Sequence, residues 1–138
     1  EQFSELLLNQ DFYESKGIDF NKVIKYYQFA FKEMFGYYFD GDLSALDAIK
    51  VRQPGAHFSQ AAWKAMRKVK AGKTLSYADL AERAGSAAAV RAAGSACAKN
   101  AIVLVVPCHR IVKTGGSLGN YAYGLNKKEW LLRFEAAL

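Results

Sequence analysis

Between Val23 and Phe35 the apolar residues return every three or four positions, the spacing that lays one stripe along an α-helix. This predicts a helix that stops at Gly36. Tyr37-Tyr38-Phe39-Asp40-Gly41-Asp42 then reads as a helix exit, with Gly41 supplying the turn. Residues 1–20 show no dominant period. Gln53-Pro54-Gly55 is the clearest punctuation in the chain and places a boundary between a small first domain, residues 1–53, and a second, residues 54–138.

Beyond the boundary the pattern sharpens. Phe58, Ala61, Ala62, Ala65, Met66 and Val69 share one face, which predicts a helix over 58–69, stopped by Ala71-Gly72-Lys73. Ser76 is a good N-cap for a helix over Tyr77–Ala84, with Asp79 three residues on, as in a capping box. Gly85 ends that helix and a second runs from about Ala87 to Lys99. Two short helices around a tight glycine-containing turn, the second carrying Arg91, read as a helix-turn-helix. The second helix is unusual: Ala87 to Ala96 is nearly all small. Such a helix is either an alanine-rich core element or one whose backbone comes close to a partner, with Gly94 allowing the closest approach. A helix that reads base edges would need longer polar side chains.

The apolar run Ala101-Ile102-Val103-Leu104-Val105-Val106 predicts a short buried element that delivers the next residues, Pro107-Cys108-His109-Arg110, to a fixed place. A thiol with its ordinary pKa of about 8.5 is mostly protonated at neutral pH. A histidine base oriented by a carboxylate can activate it, and Glu135 lies downstream. The Cys-His pair alone leaves two readings open, a buried structural cysteine or a nucleophile with its base. Neighbouring side chains on an extended segment point apart, so the second reading needs the chain to turn there or a water to bridge, and Pro107 makes a turn plausible.

Composition narrows the classes. The chain has 138 residues, about half of them apolar, and no run long enough to cross a bilayer. The start, Glu1-Gln2-Phe3-Ser4-Glu5, has no basic leader, and two cysteines, Cys97 and Cys108, are too few for a disulfide framework. A reduced, cytoplasmic setting without a membrane is expected. Cys97, among small residues, reads as packing. The two cysteines with His57 and His109 lack zinc-ligand spacing, so neither a metal nor another cofactor is expected. The net charge of +6 is uneven: six basic and nine acidic residues in 1–52 give −3, and thirteen basic and four acidic residues in 53–138 give +9. A basic second half is the electrostatic footprint of a nucleic-acid binder.

Val106-Pro107-Cys108-His109-Arg110-Ile111-Val112, with Gly119-Asn120-Tyr121, Gly124-Leu125, Lys128 and Trp130-Leu131-Leu132, resembles the active-site region of the O6-alkylguanine-DNA alkyltransferases. The likeness extends upstream through Thr74-Leu75-Ser76-Tyr77, Leu80-Ala81, Ala89-Val90-Arg91-Ala92, Gly94 and Asn100, and covers roughly residues 54–138. The resemblance implies an α/β protein: a mostly helical second domain with a winged helix-turn-helix-like motif, and a short or reduced first α/β portion with one strand at Leu6-Leu7-Leu8. It implies a double-stranded DNA partner carrying O6-alkylguanine, with O4-alkylthymine as a second lesion, a monomer, and a location in the nucleoid or the nucleus according to the cell. Cys108 would take the alkyl group irreversibly, His109 would accept its proton through a water, Glu135 would orient His109, and Tyr77 and Lys128 would support the departing base. Arg91 would fill the gap left by the flipped nucleotide, with Ala92, Gly94, Tyr77 and Arg110 on the DNA-binding face. Asn100 would link the second helix to the active-site loop, and Ile111, Tyr121, Ala122 and Tyr123 would line the pocket. Many relatives carry serine where this chain has Ala122. Tyr123 would narrow the pocket and bear on large O6 substituents such as benzyl.

Three other classes compete: a sensor of alkylated DNA that repairs nothing, a helix-turn-helix regulator, and a Cys-His hydrolase. Cys108 speaks against the first and the scarcity of base-reading side chains between Ala87 and Ala98 against the second. The third would turn over many times, and no independent oxyanion-hole motif is visible.

Overall fold

The computed structural model describes residues 10–22 and 31–138. The expected strand at Leu6–Leu8 and most of the expected helix over 23–35 lie outside them. The chain divides into two compact units: residues 1–53 with 101–105, and residues 54–100 with 106–138.

In the first unit, α1 (Gln10–Ser15) and α2 (Phe31–Phe39) are followed by turns. The helix does not stop at Gly36 as expected but continues to Phe39. Phe35 and Tyr38, one turn apart on either side of Gly36, are both buried, and that burial outweighs the roughly 1 kcal/mol that glycine costs inside a helix. The helix closes at Gly41. The amide of Gly41 bonds the carbonyl of Tyr38 and that of Asp42 the carbonyl of Tyr37, with Gly41 at φ +115°, which is the Schellman closure. The run 101–105 belongs to this unit and is wholly buried. It is irregular, with Leu104 in the left-handed region at φ +70°, and the amide of Ala101 donates to Oε1 of Gln53 at 3.1 Å.

The second unit begins with α3 (His57–Arg67), whose buried residues include Ala62, Trp63, Ala65 and Met66. The helix is shorter than its period predicts. The amides of Lys68 and Val69 bond the carbonyls of Ala65 and Met66, a tightened last turn. Trp63 ties this unit together: its Nε1 donates to the carbonyl of Ala96 at 2.9 Å, and its ring lies so close to Gly55 that a Cβ there would sit 2.5 Å away.

Then come β1 (Leu75–Ser76), α4 (Tyr77–Arg83), α5 (Val90–Lys99), a 3-10 turn (Cys108–Arg110), β2 (Ile111–Val112) and α6 (Leu125–Phe134). The hydroxyl of Ser76 caps α4 as expected, accepting from the amide of Asp79 at 3.0 Å. α5 starts later than expected, at Val90, because residues 86–89 form a separate turn in which the Ala89 amide bonds the Ser86 carbonyl. Leu80 and Ala81 of α4 and Ala93 and Ala96 of α5 are fully buried. β1 and β2 pair in parallel, Leu75 with Ile111 and Ser76 with Val112. Residues 113–117 form an exposed loop closed by the Lys113 amide on the Ser117 carbonyl at 2.8 Å, in the place where a wing is expected.

Candidate active site

Pro107 sits at φ −83°, ψ 67°, and the Cys108 amide bonds the Val106 carbonyl at 2.9 Å. This is an inverse γ-turn. It feeds the single 3-10 turn Cys108–Arg110, so the chain does turn between the cysteine and the histidine. All three residues are buried. The short parallel pairing then fixes the turn: β2 begins at the residue after Arg110, and β1 ends at the residue before Tyr77. Asn100, at the end of α5, donates from Nδ2 to the Val106 carbonyl at 2.8 Å and so holds the helix-turn-helix to the entry of the turn.

Glu135 caps the C-terminus of α6. His109 meets it with Nε2 at 2.9 Å from Oε2. Arg110, expected on the DNA-binding face, is instead buried against the same carboxylate. Its Nε donates to Oε1 at 2.9 Å, a terminal nitrogen donates to Oε2 at 2.8 Å, and the other donates to the Val69 carbonyl at 2.7 Å. The α3 end and the α6 end therefore both receive this one guanidinium, and its side chain is not presented to a ligand. Local sequence gives no signal for this, because the pairing spans 25 residues.

Burial drives the Cys108 thiol above its ordinary range, while Asn100, Lys128 and the local backbone pull the other way. Burial also lowers the His109 imidazole; Glu135 opposes this, and Arg110 and Lys128 reinforce it. Burial alone would raise Glu135, but the Arg110 fork and the His109 bond outweigh it and hold the carboxyl well below the usual range. The resting site is thus a neutral thiol, a neutral imidazole and a carboxylate. With Nε2 donating to Glu135, Nδ1 carries the lone pair, and it has no hydrogen-bond partner among the described residues.

Lys128 of α6 is fully buried and donates to the carbonyls of Ile111 and Asn120, the latter at 3.1 Å. Burial lowers its pKa, with Cys108 and Cys97 opposing. The Tyr77 hydroxyl reaches the Asn120 carbonyl at 3.4 Å, and the Lys128 Nζ lies 5.7 Å from the Tyr77 ring. Tyr77 is pushed up to about 12, first by burial and then by Cys97, so it stays a neutral donor. Gly119 belongs to the family-like motif, which by itself gives it no role. It sits at φ +76°, and a Cβ there would be 2.8 Å from the Tyr77 ring. Tyr121 and Tyr123 are half-buried with rings 5.9 Å apart, Ala122 between them is exposed, and Ile111 is buried. Burial also pushes the Cys97 thiol far up, with Cys108 adding, which leaves Cys97 inert as a nucleophile.

On α5, Ala93 and Ala96 face inward, Arg91, Ala92 and Ser95 are exposed, and Gly94 is half-exposed. A Cβ on Gly94 would meet nothing within 4 Å, so packing inside the chain does not explain this glycine. Among the described residues, no helix is long and apolar enough to cross a membrane.

The site is thus a helix-turn-helix joined by a two-residue parallel pairing to a turn that carries a buried thiol and an imidazole, the latter paired with a buried carboxylate. The chain belongs to the 6-O-methylguanine DNA methyltransferase family, whose DNA-binding-domain model matches residues 57–137. It is similar to the methylated-DNA–protein-cysteine methyltransferase of Shigella flexneri, at 42% identity over 73% of this chain and 59% of the relative. It is also similar to that of Kluyveromyces lactis, at 46% identity over 61% of this chain and 44% of the relative. Among solved structures, the Mycobacterium tuberculosis O6-methylguanine methyltransferase matches with a TM-score of 0.66 and 34% identity, over 76% of this chain and 63% of that one. A Mycobacterium tuberculosis OGT in complex with DNA matches with a TM-score of 0.64 and 33% identity, over 73% and 65%. The chain thus spans 59% of the length of the Shigella relative.

Proposed function

We propose that this protein removes an alkyl group from O6 of guanine in double-stranded DNA by transferring it to Cys108, once per molecule. The observation that carries the reading is the pairing of Glu135 with His109, on the same buried turn as Cys108, in a member of this family, with Nε2 of His109 held at 2.9 Å by Glu135 and Nδ1 left to act as base. α5 enters the DNA with its small exposed face, and Arg91, its single long side chain near the N-terminus, takes the place of the extruded nucleotide. Extrusion costs a few kcal/mol, which this filling offsets.

In the reaction the Cys108 thiol gives its proton to His109 through a bridging water. The sulfur attacks the alkyl carbon as the bond from that carbon to O6 breaks. Tyr77, neutral and donating, and Lys128 stabilise the charge arriving on the base, and the proton passes from the imidazolium to the released guanine. The product thioether has no leaving path, so the site is spent. The substrate enters past Tyr121, Ala122 and Tyr123, and the protein acts in the compartment that holds the DNA.

Intact-protein mass spectrometry after mixing with DNA carrying one O6-methylguanine tests this. A gain of one methylene, confined to Cys108 and saturating at one per chain, is expected, and Cys108→Ser should bind the lesion and gain nothing. Tight binding of the lesion by the unaltered protein with no mass gain would establish a damage sensor instead.

A further inference from the structure

Arg110 puts a full positive charge beside the base of the reaction. We propose that Arg110 is a positioning residue for the alkyl transfer: its fork fixes Glu135 as a carboxylate that holds His109 as the Nε2–H tautomer, and its charge keeps the imidazole empty until the thiol proton arrives. This rests on the function proposed above and adds the group that sets its base.

The geometry forces the first half. The guanidinium is anchored at three points, on Oε1, on Oε2 and on the Val69 carbonyl, so it cannot rotate away. A two-pronged fork needs both carboxylate oxygens as acceptors, and a protonated carboxyl would turn an O–H toward one of the prongs. Glu135 must therefore be ionised. Its Oε2 is shared with His109, so Nε2 has to be the donor and Nδ1 the acceptor. The tautomer is dictated along a chain from Arg110 to Glu135 to Nε2 to Nδ1.

Charge counting gives the second half. The charged groups acting on His109 are Arg110 on its own turn, Lys128 on α6 and Glu135 at the C-cap of α6. Arg110 already neutralises Glu135. A proton added to the Arg110–Glu135–His109 cluster leaves it with one net positive charge in a buried place. Without Arg110 the same proton would neutralise the buried carboxylate, and the pair would take it up at higher pH, whichever atom held it. An imidazolium formed beside Arg110 is also a better acid, quick to pass the thiol proton to the released base once the new carbon–sulfur bond has replaced the carbon–oxygen one.

The test is a nitrogen-15 NMR titration of His109, with the exposed His57 as internal reference, run beside the pH dependence of single-turnover methyl transfer. In the unaltered protein His109 should be neutral, with the proton on Nε2, at neutral pH and should take up its second proton only below the ordinary imidazole value of about 6.5. In Arg110→Met the pair should take up its proton at least about one pH unit higher, and the acid limb of the transfer rate should move with it. Arg110→Lys should hold the acid limb near its original place while the plateau rate falls about tenfold, since charge remains and the fork is lost. An Nδ1–H tautomer or a cationic His109 at neutral pH in the unaltered protein would overturn the proposal, and this reading decides the matter even if Arg110→Met does not fold. So would an Arg110→Met protein that titrates unchanged. If the tautomer and the shift appear but no methyl group is transferred, the assigned function fails while the link between Arg110 and the imidazole stands.

Discussion

Gly119 shows how little tolerance the site has at the level of single atoms. It is kept by two independent demands, a backbone at φ +76° and a Tyr77 ring edge 2.8 Å from where a Cβ would stand. Either alone penalises a side chain, and together they must displace Tyr77 from Asn120 and Lys128. Gly119→Ala is therefore expected to cost about 1–3 kcal/mol of stability and to slow single-turnover transfer, with Cys108 still reacting normally with a small soluble alkylating thiol reagent. Unchanged transfer by the folded variant would show that Tyr77 works from more than one position. The contrast with Gly94 is instructive, because a Cβ there meets nothing. One glycine is explained by the chain's own packing and the other is not. Arg91 tests the proposed DNA partner: Arg91→Ala should weaken transfer from alkylated duplex DNA by about tenfold or more, while free O6-alkylguanine reacts as before. An equal loss on both substrates would rule out its place in the gap left by the flipped nucleotide.

Among the elements, the second unit was legible and the reasons are local. The stripe of Ala62, Ala65 and Met66, the Ser76 cap and the glycine after α4 are written within a few residues of where they act, and each element formed near its expected place. What local pattern could not show was anything joined across the chain. Gly36 did not end α2 because Phe35 and Tyr38 are buried. α3 shortened to a turn whose last carbonyl receives Arg110, 41 residues away. Arg110 itself, one residue from the histidine, looked like a DNA contact because nothing nearby reveals that its partner is Glu135. The tetrapeptide of the candidate site left two readings open, and the family resemblance rather than local pattern joined Cys108, His109 and Glu135; the Arg110 fork on Glu135 was not legible at all. Ser76 allows a quantitative check, as it both closes β1 and caps α4 directly before Tyr77. Ser76→Ala should cost about 1 kcal/mol, lowering the melting temperature by about 4–8 °C for a unit of this size. A change below one degree would show that the cap is replaceable by water.

For the whole molecule, the buried site makes stability fall on the acid side of neutrality. The folded pKa of His109 is lowered, so its contribution is complete above the unfolded value of about 6.5 and is lost as the pH falls below it. Glu135 is likewise lowered, and its share is lost as the pH falls below about 4.3, its unfolded value. Cys108 is raised, so its contribution is complete below its unfolded value of about 8.5 and is lost as the pH rises through its folded one. Urea midpoints should fall from neutral pH towards pH 4. On the alkaline side Cys108, Cys97 and Tyr77, all raised by burial, lose stability while Lys128, lowered by burial, gains it, so Cys108→Ser should shift the alkaline limb without abolishing it. A midpoint that rises into acid would contradict the neutral, buried imidazole.

The five residues 101–105 carry a consequence of another kind. They pack with residues 1–53, yet the chain on either side of them belongs to the second unit. A gene fragment beginning at Pro54 would encode the whole relay and the whole helix-turn-helix, but would leave Ile102, Val103, Leu104 and Val105 without the neighbours that keep them from water. A first unit exchanged by recombination would have to offer these four side chains a home.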